Sequence, residues 1–200
     1  MSDPERDEDL VHSYLAGDEH AFSVLVERHQ TRVYNVALRV LGDPDDARDA
    51  AQDAFLSMLR KLSQFRGESA FTTWLHRVTV NSCYDILRKR RRQPVLHLIA
   101  DENGPIPDIG PPVPDHADAA VDSIDVARAL QVIPEEYRVT LVLADVQDLP
   151  YDEIARVLDV PIGTVKSRVH RGRIALARAM GLDEPAREPS PGSRPSEGER

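Results

Sequence analysis

The sequence predicts an all-α protein: two small helical domains joined by a flexible, acidic, proline-rich linker. Apolar residues recur at helical spacing in every long segment, and no segment alternates apolar and polar residues as a half-buried strand would. Residues that cap helices stand at the segment ends, and prolines cluster in one central stretch without Lys or Arg. The hydrophobic content of 41% is sufficient for helical cores, although aromatic residues are few.

Composition and proline content divide the chain into four parts. Residues 8–92 are predicted to form a first domain, residues 93–121 the linker, residues 122–182 a second domain, and residues 183–200 a disordered tail. The linker is predicted to be largely extended or disordered, because proline and charges of one sign oppose packing. The tail is rich in Pro, Glu, Ser and Gly and has too little apolar surface to bury a core.

Capping residues mark the helices of the first domain. Asp18 is placed to cap a long amphipathic helix, and Gly42 is placed to end it. Asp43 and Pro44 then begin a second long helix as its cap and first helical residue. A third helix is predicted over 71–92. Each helix carries an apolar stripe on one face, so the three are expected to share a core.

Two helices joined by a tight turn are predicted over 151–180. Asp159 stands where the chain must reverse, and Asp tolerates a left-handed backbone better than most residues. Pro161 stops the first helix and suits the first turn of the next. Val165 and Val169 then fall on the buried side of the second helix. This pattern predicts a helix-turn-helix, whose second helix enters the major groove of DNA.

The second helix of this motif is basic within an acidic chain. The net charge of the protein is −9, yet no Asp or Glu occurs from 163 to 180. The cations of the helix are Lys166, Arg168, Arg171, Arg173 and Arg178. Such segregation of charge predicts a polyanionic partner, and DNA fits a helix-turn-helix. The alternative is a structural helical hairpin with a solvated basic face.

A second basic cluster closes the first domain. It comprises Arg88, Lys89, Arg90, Arg91 and Arg92, and it follows a region that contains Phe65, Arg66, Phe71, Trp74, Arg77, Asn81 and Tyr84. Cations that hold the backbone and rings that stack on bases are what single-stranded nucleic acid requires. The alternative is that the rings fill the core while the cations complement the dipole of the helix end.

The linker has two interpretations. From 93 to 125 it contains acidic residues but no Lys or Arg. It is either a solubilising tether or a mimic of nucleic acid that occupies a basic channel in a partner.

Several classes of protein are disfavoured. Cys83 is the one cysteine, so no disulfide or thiolate metal site forms within one chain, and its thiol is predicted to be buried and structural. The acidic N-terminus is no signal peptide, and no apolar run approaches the roughly 20 residues of a membrane helix. The sequence carries no Gly-rich phosphate loop, HExxH or nucleophile–base pair, so no catalytic residue, metal or cofactor is expected. A soluble, cytoplasmic, non-catalytic protein is predicted.

Two blocks of the sequence resemble one known family. The block from AGDEHAFSVLVERHQ to CYDILRKRRR resembles the σ2 domain of bacterial RNA polymerase sigma factors of the extracytoplasmic-function (ECF, group IV) type, in the sigma-70 family. The block from LQVIPEEYRVTL to VKSRVHRGRIAL resembles their σ4 domain. The resemblance covers most of residues 8–180. Within the family, the sequence resembles the SigM-like branch. It implies a subunit that binds core RNA polymerase and directs initiation at promoters with particular −10 and −35 elements.

The resemblance also implies roles for individual residues. The helix ARDAAQDAFLSML would dock on the clamp helices of the polymerase largest subunit, through Asp49, Gln52, Asp53 and Phe55. The loop FRGESAF and the following helix would hold the −10 element as single-stranded DNA, through Arg66, Gly67, Glu68, Ser69, Ala70, Phe71, Trp74, Arg77 and Asn81. The helix-turn-helix would read duplex DNA at −35 through Lys166, Ser167, Arg168, His170, Arg171 and Arg173, with Arg168 and Arg173 on phosphates.

The remaining implications concern partners. The segment 125–148 would meet the β flap of the polymerase, and the linker would run towards the RNA exit channel, which favours its interpretation as a mimic. An anti-sigma factor would supply the regulation, and no cofactor is implied. The competing hypothesis is a self-sufficient regulator that binds duplex DNA as a dimer without polymerase. The aromatic and basic block and the acidic linker argue against it.

Overall fold

The computed structural model describes residues 6–92 and 126–182, and it builds them from helices without a strand among them. The first domain contains α1 (Asp7–Leu15), α2 (Glu19–Leu41), α3 (Pro44–Lys61), a 3₁₀ turn (Leu62–Gln64) and α4 (Phe71–Arg92). The second contains α5 (126–132), α6 (Glu135–Leu141), a π-helical turn (Val142–Val146), α7 (Tyr151–Leu158) and α8 (Ile162–Ala179). The all-α prediction is confirmed. The predicted linker at 93–121 and tail at 183–200 lie outside the described residues.

The predicted caps set the helix ends of the first domain. The Asp18 side chain accepts a 3.0 Å hydrogen bond from the amide of His20 in the first turn of α2. Gly42 ends α2 in the left-handed region at φ 73°. Asp43 Oδ1 accepts from two amides of the first turn of α3, at 3.0 and 2.9 Å. These side chains satisfy backbone donors that a helix start leaves without partners.

The first domain has a core of its own. Helices α1 to α4 enclose it, and Leu25, Met58, Leu62 and Phe71 are all 0% exposed. Leu25, Met58 and Leu62 come from the predicted apolar stripes, whereas Phe71 is one of the residues that the resemblance assigns to the −10 element. Burial of side chains of this size stabilises the fold by roughly 1.5–3 kcal/mol each, as an upper bound.

The helix-turn-helix prediction is confirmed in α7 and α8. Asp159 reverses the chain with φ 54°, and the amide of Val160 donates to the carbonyl of Ala155 at 3.1 Å. Val165 and Val169 hold α8 on the core at 0% and 2% exposure. The second domain therefore presents the opposite side of α8 to solvent.

The two domains also pack against each other, and the sequence did not indicate this contact. Val40 and Cys83 of the first domain belong to the same buried cluster as Val139, Ile154 and Val165 of the second. Helix α4 lies against α7, and α2 contacts α6 and the π-helical turn. Both α2 and α4 have apolar faces that serve the first domain as well, so their periodicity alone does not reveal a second packing partner.

Candidate nucleic-acid and polymerase interfaces

Helix α8 offers its predicted DNA-reading residues to solvent. The exposed residues are Lys166, Ser167, His170 and Arg171, and their spacing places them on one side of the helix. The carbonyl of Thr164 accepts a 2.9 Å hydrogen bond from the hydroxyl of Ser167. No acidic residue occurs on this helix. The surface therefore has the charge and accessibility that a DNA groove requires.

Two further arginines of α8 are held by carboxylates of the same domain. Arg168 Nη2 donates to Glu136 Oε2 at 2.9 Å. Arg173 donates to both carboxylate oxygens of Asp145, at 2.7 and 3.2 Å. These pairs hold both guanidinium groups beside the exposed face of α8. A DNA phosphate that approached either arginine would take the place of a carboxylate.

The loop between the 3₁₀ turn and α4 projects into solvent. Arg66, Gly67, Glu68 and Ala70 are exposed, and Ser69 is half-buried. Gly67 adopts φ 68°, and no atom lies within 4 Å of the place where a Cβ would stand. Glycine occupies this left-handed backbone without steric cost, which permits the turn. The loop thus presents the polar side chains of Arg66 and Glu68 to solvent, where a base could reach them.

The aromatic residues beside the loop divide into two groups. Phe71 is 0% exposed, and its amide donates to Glu8 Oε1 at 3.3 Å. Phe65 and Trp74 are half-buried, with ring centroids 5.7 Å apart. The ring of Phe71 is therefore a core element that cannot stack on a base in this arrangement. Phe65 and Trp74 retain exposed ring surface.

One face of α4 continues the exposed surface away from the loop. Trp74, Arg77 and Asn81 are three and four residues apart, so they lie on the same side of the helix. Arg77 and Asn81 are exposed. Not every cation at the basic end of α4 is available to nucleic acid. Arg90 donates to the carbonyl of Leu41 at 3.0 Å and thus has a structural role.

Helix α3 carries the predicted polymerase contacts. Asp49, Gln52 and Asp53 are exposed, whereas Phe55 is half-buried against the core of the first domain. Leu56 and Leu59 are 44% and 42% exposed and share the face of the three polar residues. Sequence reasoning missed these two leucines. Their spacing from Asp49 and Gln52 is the signal that identifies them, since a solvated helix face rarely carries two large aliphatic residues.

The comparisons with known proteins identify the family. The family described as Sigma-70 region 2 matches residues 25–93, and the one described as Sigma-70, region 4 matches residues 123–176. The ECF RNA polymerase sigma factor SigM of Mycobacterium tuberculosis is 38% identical over 175 residues, which cover 88% of this chain and 85% of the relative. This chain belongs to the ECF sigma factors of the sigma-70 family. It therefore directs promoter-specific transcription initiation.

Two other relatives of this sigma factor match a similar share of the chain. The ECF RNA polymerase sigma-E factor of Escherichia coli is 36% identical over 183 residues, 88% of this chain and 95% of the relative. The RNA polymerase sigma-H factor of Pseudomonas aeruginosa is 34% identical over 191 residues, 90% of this chain and 96% of the relative.

Two solved structures share the fold of the sigma factor. One is RpoE in complex with the anti-sigma factor NepR from Bartonella quintana, with a TM-score of 0.66, 23% identity, and coverage of 82% of this chain and 98% of that one. The other is CnrH in complex with the cytosolic domain of CnrY, with a TM-score of 0.66, 24% identity, and coverage of 89% and 99%.

The contact between the domains places α4 of this sigma factor against the first helix of the helix-turn-helix. Thr73 Oγ1 on α4 donates to Glu153 Oε2 on α7 at 2.6 Å. Tyr84 lies further along α4, where burial raises the pKa of its hydroxyl and the nearby charge of Arg168 opposes that rise. Arg168 is a predicted DNA contact of α8, and its charge thus acts on the helix predicted to bind the −10 element.

One further titratable group of the sigma factor is the buried thiol of Cys83. Burial raises the pKa of the Cys83 thiol to about 12, so this side chain is a protonated, structural thiol as expected.

Within residues 6–92 and 126–182, no helix is long and apolar enough to cross a membrane. The same residues contain no group of three His, Cys, Asp or Glu side chains that would hold a metal ion.

Proposed function

We propose that this sigma factor positions core RNA polymerase on promoters through three separate surfaces. The α3 face with Asp49, Gln52, Asp53, Leu56 and Leu59 docks on the clamp helices of the polymerase. The loop at 65–70 and the exposed face of α4 hold the −10 element as a single strand. The exposed face of α8 reads the −35 element as duplex DNA. The protein is a cytoplasmic specificity subunit, and the polymerase performs the chemistry.

The observation that carries this proposal is the difference between its two nucleic-acid surfaces. The α8 face has cations, a hydroxyl and one imidazole, but no Phe, Tyr or Trp, which suits the edges of base pairs in a major groove. The surface beside α4 combines Phe65 and Trp74 with Arg66, Arg77 and Asn81, which suits unstacked bases. One protein that carries both surfaces is equipped to hold duplex DNA at one point and opened DNA at another.

The polymerase contact follows from the character of the α3 face. Two exposed leucines beside two carboxylates form an apolar centre with an acidic rim. Protein interfaces have this anatomy, and a basic, apolar partner surface would complement it. The segment 125–148, of which 126–148 is described, would meet the β flap.

An anti-sigma factor is the proposed regulator. RpoE of Bartonella quintana was solved in complex with the anti-sigma factor NepR, and CnrH was solved in complex with the cytosolic domain of CnrY. Both relatives share the fold of this sigma factor, which supports a partner of the same kind. A partner that held the two domains together would keep the α8 and α4 surfaces from engaging separate promoter elements.

Run-off transcription tests the proposed function. The full chain is mixed with bacterial core RNA polymerase and a library of promoter fragments, and transcripts that depend on the chain are sequenced. Starts that share conserved −10 and −35 elements are expected. If the chain bound duplex DNA as a dimer but directed no transcript from any fragment, the self-sufficient regulator would replace the sigma factor.

A further inference from the structure

An open polar cleft of about 940 Å³ lies where the two domains meet. Helices α1 and α2 of the first domain form one wall, and Val146 and Gln147 at the π-helical turn of the second domain contribute to the other. The volume is within the range of roughly 300–1,000 Å³ that small-molecule sites occupy, and such sites favour domain interfaces. None of the three surfaces assigned above includes this cleft.

The cleft carries more positive than negative charge. Four of its lining residues are arginines: Arg6, Arg28, Arg32 and Arg39. Its two carboxylates are already engaged, since Asp7 bonds Arg28 at 2.6 Å and Glu8 pairs with Arg6 at 3.5 Å. Arg32 and Arg39 have no carboxylate or hydrogen-bond partner among the described residues. Two uncompensated guanidinium groups therefore remain in the cleft.

The spacing of these two arginines defines an elongated site. Arg32 and Arg39 are seven residues apart on α2, which is about 10 Å along one face of the helix. Neutral hydrogen-bonding groups line the cleft near them, namely Thr31, Asn35, Thr72 and Gln147. A ligand that spans the arginines would find both strong cationic donors and weaker neutral donors within one cleft.

A buried histidine stands behind this lining. His76 is 4% exposed, and neither ring nitrogen makes a hydrogen bond of good geometry. The groups that influence its pKa include Gln147, Arg32, His29 and Thr72, all of which line the cleft. Orphaned polar atoms in a buried position are uncommon and call for an explanation. Here they lie directly behind a polar cleft.

We propose that this cleft binds a small molecule that carries two or more linked phosphate groups, such as an oligophosphate or a nucleotide. Arginine forms bidentate, charge-assisted hydrogen bonds with phosphate oxygens, and the distance between Arg32 and Arg39 matches a chain of phosphates better than one phosphate. Both domains line the cleft, so the ligand binds the packed arrangement of the domains and stabilises it. Binding of a small anion to the sigma factor would thereby control whether the two promoter-reading surfaces can separate and bind DNA.

Isothermal titration calorimetry on the full chain tests the site, with inorganic tripolyphosphate as the probe and orthophosphate as the comparison, at constant ionic strength. One tripolyphosphate is expected to bind per chain. The affinity for orthophosphate should be lower by a factor of about ten or more. Arg32→Gln and Arg39→Gln should each weaken tripolyphosphate about tenfold. Arg48→Gln is the matched control, because this exposed arginine on α3 pairs with Asp45 and lies outside the cleft.

Arg171→Gln separates the cleft from the basic face of α8, which also attracts polyanions. The proposal requires this variant to bind tripolyphosphate as the wild type does. Three results would each overturn the site. They are an equal loss of tripolyphosphate affinity in Arg171→Gln or Arg48→Gln, binding that does not saturate, and the absence of binding. As a second readout, saturating tripolyphosphate should raise the Tm of the wild type and of Arg48→Gln, but not that of a chain with both Arg32→Gln and Arg39→Gln.

Discussion

Arg138 of the second domain donates a 2.7 Å hydrogen bond from Nη1 to the carbonyl oxygen of Val40, at the C-terminal end of α2 in the first domain. The neighbouring carbonyls are satisfied in the same way, because Gln131 donates to Arg39 at 3.0 Å and Arg90 donates to Leu41 at 3.0 Å. The last carbonyls of a helix have no partner within it. Here side chains from α4, α5 and α6 supply those partners. Because α5 and α6 belong to the second domain, their hydrogen bonds at the end of α2 hold the two domains together.

Arg138→Leu should therefore destabilise the packed arrangement. Arg138 is 7% exposed and also donates to the carbonyls of Gln131 and Ile133, at 3.0 and 3.2 Å. The substitution leaves buried carbonyls without donors, and a loss of about 2–4 kcal/mol in the free energy of unfolding is expected. Urea denaturation measures it. Arg156→Leu is the control, because its exposed ion pair with Asp152 contributes little to stability. Equal losses of unfolding free energy in both variants would show that the hydrogen bonds of Arg138 do not hold the domains together.

Gly42→Ala should be costly for two separable reasons. The residue has φ 73°, and a Cβ there would stand 2.3 Å from Cδ of Gln131. Gly67→Ala is the matched control, because Gly67 has φ 68° but no atom within 4 Å of the Cβ position. The control should lose about 1 kcal/mol of stability to backbone strain, and Gly42→Ala should lose more. Gly42→Ala should cost less in a chain that carries Gln131→Ala than in the wild type, and a strictly additive double-mutant cycle would show that the close approach is unimportant.

Local features of this sigma factor were predictable from its sequence, whereas the packing of its domains was not. Asp18, Asp43 and Asp159 act through their own turns, so their roles are encoded within a few residues. Arg138 was missed because a buried arginine in a short helix has the same sequence signature as an exposed one. Its partner in the first domain is the backbone carbonyl of Val40, 98 positions away, which no side-chain pattern reveals. The same limitation hid the cleft beside Arg32, since it exists only where two domains meet.

Stability should fall as the pH is lowered below neutrality, partly because of His76. Burial lowers the pKa of this side chain from 6.5 to about 4, so the unfolded chain binds its proton first on acidification. Between those two pKa values the unfolded state holds more protons, and the free energy of unfolding declines by up to about 1.4 kcal/mol per pH unit for this group. Urea denaturation of wild type and His76→Gln at several pH values measures the slope. The variant should have a shallower slope from pH 6.5 to 4, relative to its own stability at pH 7.5; identical slopes would exclude His76 as a cause.

Leu56→Ala together with Leu59→Ala should weaken binding to core RNA polymerase. Both side chains are exposed beside Asp53, so their removal costs the free protein little but takes apolar area from the proposed interface. A decrease in affinity of about tenfold or more is expected, and Asp53→Ala should also weaken binding. Fluorescence anisotropy of labelled chain with core polymerase measures it. Lys61→Ala, exposed on another side of α3, is the control, and unchanged affinity in the leucine variant would remove α3 from the interface.

Arg171→Ala should impair the use of the −35 element while core binding remains intact. The side chain is exposed on α8 and has no carboxylate partner among the described residues, so it is available to a base edge. A bidentate contact of this kind contributes about 1–3 kcal/mol of discrimination between bases. Run-off transcription on promoters with single −35 substitutions should show reduced activity and relaxed preference at one base pair. Arg173→Ala is the informative comparison, because Asp145 already engages that guanidinium and its loss should lower activity on all −35 variants alike. A relaxed preference in Arg173→Ala, with none in Arg171→Ala, would exchange the two roles.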